Sequence, residues 1–161
     1  MAGAGCKSVE VGPSVAPLER IYKLAIPREI AREILEHVER EYPIEACGAL
    51  FGRVESGSAL VEKVVPLRNV LGSSTAFWFD ERDWMSAIMS AKREGLEYIG
   101  LYHSHAREQP LPSLADRHRM LECPGEVWLI VAYRPGGEPR LAAYRIDDYG
   151  SAVMRVRVEL L

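Results

Sequence analysis

"HSHAREQPLPSLAD", residues 103–116, sets two histidines, a serine and an aspartate within one short stretch. The residues before it, "EYIGLY" (97–102), read as a strand, so the histidines ride on its end. A strand turns every second side chain to the same face. His103 and His105 therefore aim together and Ser104 is turned away. "AREQPLP" (106–112) follows as a loop stiffened by two prolines. Ser113 and Asp116 then form a Ser-x-x-acid capping signature, which opens a helix over 113–123.

Upstream of this stretch, "LERIYKLAI" (18–26) reads as a first strand. "REIAREILEHVEREY" reads as a helix entered at Pro27 and ended by Pro43. Ile30, Ile34 and Val38 recur every four residues with Ala31 and Leu35 beside them, giving one apolar stripe. "CGALFGRV" (47–54) and "ALVEKVVPL" (59–67) are strand-like and joined by a Ser56-Gly57-Ser58 turn. "AFWFD" (76–80) reads as a short aromatic strand. A second helix over 81–95 carries Trp84, Ile88 and Ala91 on one face and stops at Gly95. Downstream, "EVWLIVAYR" (126–134) is apolar enough for a central strand, and "PRLAAYRID" (139–147) and "AVMRVRVEL" (152–160) complete the sheet. The pattern predicts an α/β fold: a single domain with one mixed β-sheet flanked by helices on both faces.

The 161 residues suit one domain, expected over 17–161, with 1–16 a flexible tail of small residues. Net charge is −3, so no basic field points to nucleic acid or to an anionic membrane. No apolar run approaches the ~20 residues of a membrane helix, and the tail lacks the apolar core of a signal peptide. The expected location is cytoplasmic. Cys6, Cys47 and Cys123 form no CxxC pair, which excludes a four-thiolate zinc ribbon, and a Cys47–Cys123 bridge stays open.

Two readings of the opening stretch coexist. His103 and His105 are metal ligands or buried hydrogen-bonded histidines, and Ser113 with Asp116 is a helix cap or part of a site. The readings are compatible, because a cap at Ser113 would hold Asp116 rigidly with its carboxylate free for a cation. Two imidazoles and one carboxylate leave a fourth position open, which is the pattern of a catalytic zinc. Such an ion lowers the pKa of bound water to about 7. A general base is still needed, and Glu45 in "YPIEACGALFG" is the candidate, entering a strand that holds Gly48 and Gly52.

Glu45 followed by H-S-H, seven residues, Ser, two residues and Asp resembles the JAMM (MPN+) metalloprotease motif, and "PIEACGALFG" looks like the segment that carries that family's glutamate. The resemblance implies a cytidine-deaminase-like fold. It also implies hydrolysis of peptide or isopeptide bonds after the C-terminal glycine of ubiquitin-like or sulfur-carrier proteins, as a desampylase or deubiquitinase does. By the same resemblance His103, His105 and Asp116 hold Zn2+, Glu45 is general base and then acid, and Ser113 steadies the oxyanion. The chain lacks the His/Cys cluster of the second zinc found in some eukaryotic members, which places it with the compact prokaryotic or archaeal type. A homodimer is left open.

Other residues carry weaker expectations. His118 lies past Asp116 and turns away from the site. His37 falls on the wet side of the first helix, and Cys47 is a small buried strand residue. Trp78, Trp84 and Trp128 pack the core, while Phe77-Trp78-Phe79 has an alternative reading as the lining of a groove for a substrate tail. An extended tail would bind by adding a strand beside the site. Competing functions are a non-haem iron oxidoreductase with a two-His, one-carboxylate site and a non-catalytic interaction scaffold. A zinc nucleobase deaminase needs P-C-x-x-C, which is absent.

Overall fold

The structure, a computed structural model, describes residues 15–148 and 152–161. Its elements run β1 (Lys23–Ile26), α1 (Arg28–Glu41), β2 (Cys47–Glu55), β3 (Ser58–Leu67), α2 (Glu81–Arg93), β4 (Glu97–His105), α3 (Leu114–Met120), β5 (Val127–Ala132), β6 (Arg140–Arg145) and β7 (Met154–Leu160). This is an α/β fold with one mixed sheet in the order β1-β3-β2-β4-β5-β6-β7. β2–β3 and β2–β4 are antiparallel, whereas β4–β5 is parallel.

The expected layered arrangement, with helices flanking both faces of the sheet, gives way to a closed one. β1 lies parallel to β3 on one side and parallel to β7 on the other, so the sheet closes into a barrel. Every strand has two neighbours, although β1 pairs only with Ser58–Leu60 of β3 and, among the described residues, the rest of β3 has no strand on that side. The closing contact pairs Lys23 with Arg157. Periodicity reports only local geometry, and nothing local announces a pairing across so much chain.

Two apolar clusters divide the interior. In one, Ile30, Ile34 and Val38 of α1 pack with Leu50, Ile99, Leu129, Val131 and Val156. In the other, Trp84, Ala87, Ile88 and Ala91 of α2 pack with Ala49, Leu101, Trp128 and Ile130. A register shift between Leu50 and Phe51 in the β2–β4 ladder changes the alternation along β4. Tyr98 and Leu101, three apart, therefore join the same cluster. Beyond that shift the ordinary alternation carries the same face to His103 and His105.

The residues expected as an aromatic strand, 76–80, are irregular backbone. Phe77 and Phe79 are buried and Trp78 is half-buried, which is the alternation of an extended segment. Its backbone is held by Asn69 and Val70, not by a ladder: Trp78 N–H donates to Asn69 Oδ1 and Val70 N–H to the Trp78 carbonyl. Of the expected tail, residues 1–14 lie outside the described residues, and Val15 and Ala16 pack against the α2 cluster. Among the described residues, no helix is long and apolar enough to cross a membrane.

Candidate functional site

The C-terminal end of β4 brings His103 and His105 together on the α2 side of the sheet. Their Nε2 atoms are 3.0 Å apart. Asp116 Oδ2 lies 3.2 Å from His103 Nε2 and 3.1 Å from His105 Nε2. All three residues are buried. Phe77 stacks on the His103 ring at a centroid distance of 4.3 Å, and Trp128 meets it edge-on, which fixes the plane of the imidazole.

Asp116 is placed by the cap that its sequence announces. Ser113 Oγ accepts from Asp116 N–H at 3.0 Å, and Asp116 Oδ2 accepts from Ser113 N–H at 2.9 Å, a complete capping box. The carboxylate is thus not free, as the sequence reading had it: the oxygen that faces the imidazoles also closes the cap. The loop before it is tied down from the sheet, where Tyr144 Oη–H donates to the Pro110 carbonyl at 2.8 Å.

Glu45 reaches the same point from the segment that leads into β2. Its carboxylate and one nitrogen from each histidine lie within 4.8 Å of one another, a grouping able to hold a metal ion. Three hydrogen bonds fix the backbone here. Glu45 N–H donates to the Ser73 carbonyl at 2.9 Å, and Asn69 Nδ2 donates to the Glu45 carbonyl at 2.9 Å. Ala46 N–H donates to Ser104 Oγ at 2.8 Å. Ser104 turns away from the histidines, as expected, and uses that direction to hold the neighbour of Glu45. Asn69 and Ser104 are the residues that sequence reasoning missed. The alternation of the strand gave a direction for Ser104 but no partner, and an asparagine after a strand reads as a turn residue.

Electrostatics separate the two carboxyls. Burial, together with the negative charge of Asp116, lifts the Glu45 carboxyl to about 8, with Arg107 pulling the other way. Burial also works to raise Asp116, but hydrogen bonds from His103 and His105 outweigh it and hold that carboxyl well below the usual range. Burial lowers His103 and favours its neutral, ligating form.

The donors fit a metal. Glu45 Oε1 is buried without a hydrogen-bond partner, and the two Nε2 atoms face only each other and Asp116. Four-coordinate zinc with bonds of about 2.0 Å sets its ligand atoms about 3.3 Å apart. The Nε2, Nε2 and Oδ2 separations of 3.0–3.2 Å approach that spacing.

His118 is exposed and apart from the site, as expected. Cys47 is buried, with its thiol directed at the Leu67 carbonyl and pushed up to about 12 by burial, so it is no nucleophile. It is also a free thiol, which excludes the Cys47–Cys123 bridge. His37 corrects the sequence reading, because it is buried with Nδ1 2.7 Å from Tyr102 Oη.

Comparison with known proteins shows the family. Residues 27–147 match Prok-JAB, the prokaryotic homologs of the JAB domain, and the chain belongs to that family. It is 38% identical over 108 residues to a desampylase of Pyrococcus furiosus, covering 67% of this chain and 73% of the relative. It is 28% identical over 128 residues to a CysO-cysteine peptidase of Mycobacterium bovis, covering 80% and 86%. A solution structure of a Desulfitobacterium hafniense protein superposes with a TM-score of 0.76 at 28% identity, over 86% of this chain and 92% of that one. The named relatives are peptidases that act on protein conjugates or adducts.

Proposed function

We propose that this chain is a cytoplasmic zinc-dependent peptidase that cleaves the peptide or isopeptide bond after the C-terminal glycine of a ubiquitin-like or sulfur-carrier protein. One observation carries the reading: two Nε2 atoms and one carboxylate oxygen converge within 3.2 Å, with the orphaned Glu45 carboxylate beside them. His103, His105 and Asp116 would hold the ion. Zinc in such a site lowers the pKa of a bound water to about 7 and polarises a carbonyl.

The protein's own groups divide the rest of the work. Glu45 takes a proton from the attacking water and returns it to the amine nitrogen as the C–N bond breaks. Ser113 Oγ only accepts, from Asp116 N–H, which leaves its hydroxyl hydrogen to be donated to the carbonyl oxygen as that oxygen gains charge. The backbone clamp on Glu45 and Ala46 keeps the carboxylate in place without help from substrate.

The test is hydrolysis of a ubiquitin-like fusion by zinc-loaded protein, with zinc content measured in parallel. Glu45→Gln should lower kcat by about 10² to 10⁴ and keep the metal. Asp116→Asn should lose both. A Glu45→Gln protein that has shed its zinc would make Glu45 a ligand instead of the base. Zinc-loaded wild type inert on every glycine-terminated fusion would remove the proposal.

A further inference from the structure

The parallel strands β4 and β5 end side by side at His105 and Ala132, which are register partners. Ala132 is in turn the partner of Arg140 on β6. Register partners point to the same face, and Ala142 and Tyr144, two and four residues along β6, belong to the same cluster as Trp128 and Ile130. His105, Ala132 and Arg140 therefore stand in a row on the face that carries the metal-binding groups. Only a methyl group separates the first from the last. With strands about 4.8 Å apart, Arg140 starts roughly 10 Å from His105.

A cavity of about 660 Å³ opens over Ala132. The loop after β4 supplies Arg107 to its wall, the loop after β5 supplies Arg134, and β6 supplies Arg140. Glu108 and Glu138 also line it, leaving a net positive lining on a chain whose net charge is −3. Among the described residues, none of the three guanidinium groups has a hydrogen bond or ion pair. Cavities at the carboxyl ends of parallel strands are where α/β folds bind ligands. This one adjoins the candidate centre, since Ala132 in its lining is the register partner of His105.

We propose that this pocket receives the free α-carboxylate of the residue on the amine side of the scissile bond, so that the enzyme prefers a linear glycine–amino acid junction with one or two residues beyond it. The inference rests on the peptidase reading given above and names the leaving group for it. On the acyl side, the only carboxyl near the reacting carbon is the one that hydrolysis creates. On the amine side of a linear junction, an α-carboxylate follows within one or two residues of about 3.5 Å each, and the long side chain of Arg140, rooted roughly 10 Å from His105, can reach back over the remainder. An isopeptide-linked lysine brings no such charge. The cavity has room for an amino acid or dipeptide and not for a protein surface. Guanidinium groups suit a carboxylate because they pair with it bidentately.

The test uses three substrates built on one ubiquitin-like domain ending in Gly-Gly: a single added alanine with a free carboxylate, the same alanine as its carboxamide, and an isopeptide to the side chain of lysine amide. Zinc-loaded wild type should cleave the carboxylate form at least tenfold faster in kcat/KM than either other form, and Arg140→Gln with Arg134→Gln should bring that ratio to about one. A ratio near one in wild type overturns the proposal. So does an equal loss on carboxylate and carboxamide forms, which would place the recognised acid on the body of the modifier. Binding is read separately from turnover. Titration with glycyl-alanine should shift the backbone amide signals of Ala132, Gly136 and Gly137 in wild type and not in the double variant. If no substrate is cleaved yet those shifts occur, the peptidase reading fails and the pocket stands; their absence removes the pocket.

Discussion

Ser104→Ala isolates the contribution of the small residue between the two histidines. Ser104 Oγ accepts from Ala46 N–H at 2.8 Å, and Ser104 N–H donates to the Ala46 carbonyl at 3.0 Å. Both residues are buried, at 5% and 1% exposure, so water has little access to the orphaned amide. Alanine keeps the backbone bond and leaves Ala46 N–H without a partner, at a cost of about 1–3 kcal/mol. For a domain of this size that lowers Tm by about 2–12 °C. The same bond fixes the chain next to Glu45. A carboxylate displaced by about 1 Å loses up to a hundredfold in rate, and kcat should fall tenfold or more with KM and zinc content near wild type. Ser104→Thr retains the acceptor and should recover most of both losses. Thermal denaturation and steady-state hydrolysis of a glycine-terminated fusion provide the two readouts. An Ala variant with unchanged Tm and unchanged kcat would refute the reasoning, and a drop in Tm alone would reduce Ser104 to a structural residue.

Two further outcomes follow from packing and from a buried acid. In Gly48→Ala the new Cβ would collide with the ring and hydroxyl of Tyr102, whose hydroxyl is held by His37. Overpacking of this kind should cost about 1–3 kcal/mol, read as a lower urea midpoint at unchanged m-value; an unmoved midpoint contradicts it. Burial raises the Glu126 carboxyl to about 7 despite hydrogen bonds from Tyr98 and Trp128. The folded state then keeps a proton that the unfolded state sheds above about 4.5, so this stabilisation is complete below that pH and fades as pH rises through 7. The fade should amount to about 3 kcal/mol. Denaturation of wild type and Glu126→Gln at pH 5 and pH 8 should show a wild-type decline that the variant reduces, and parallel declines would count against it.

What the sequence made legible were features whose cause is local. The alternation of a strand aligned His103 with His105, and the Ser113–Asp116 signature produced the capping box that it names. The stripe of Ile30, Ile34 and Val38 became a buried helix face. His37 lies three residues from Ile34 and seven from Ile30, so periodicity alone placed it on that stripe, and its polarity argued it off. The partner that made burial tolerable, Tyr102, sits 65 residues away and has no local signal. The same limit explains the closed sheet and the irregular aromatic segment. Phe77 and Phe79 alternate as a strand would, but Asn69 takes the backbone of Ala76 and Trp78 beside them before any strand does.

These misses share a direction, because each concerns how the site is held and not what it is made of. The reacting groups come from three short sequence patterns with a chemistry of their own. Their supports are an asparagine after β3, a serine between two histidines, a tyrosine on β6 and an alanine on β5. None of these is unusual in composition, and each matters only through the strand beside it. Closure of the sheet joins the two sets of facts. Because β2, β4, β5 and β6 are consecutive in one sheet, Glu45 at the entry to β2, the histidines on β4 and Arg140 on β6 follow one another across it. Glu45, the proposed base, therefore lies on one side of the candidate metal centre and the cationic pocket on the other, and a substrate laid across the strands would meet them in that order.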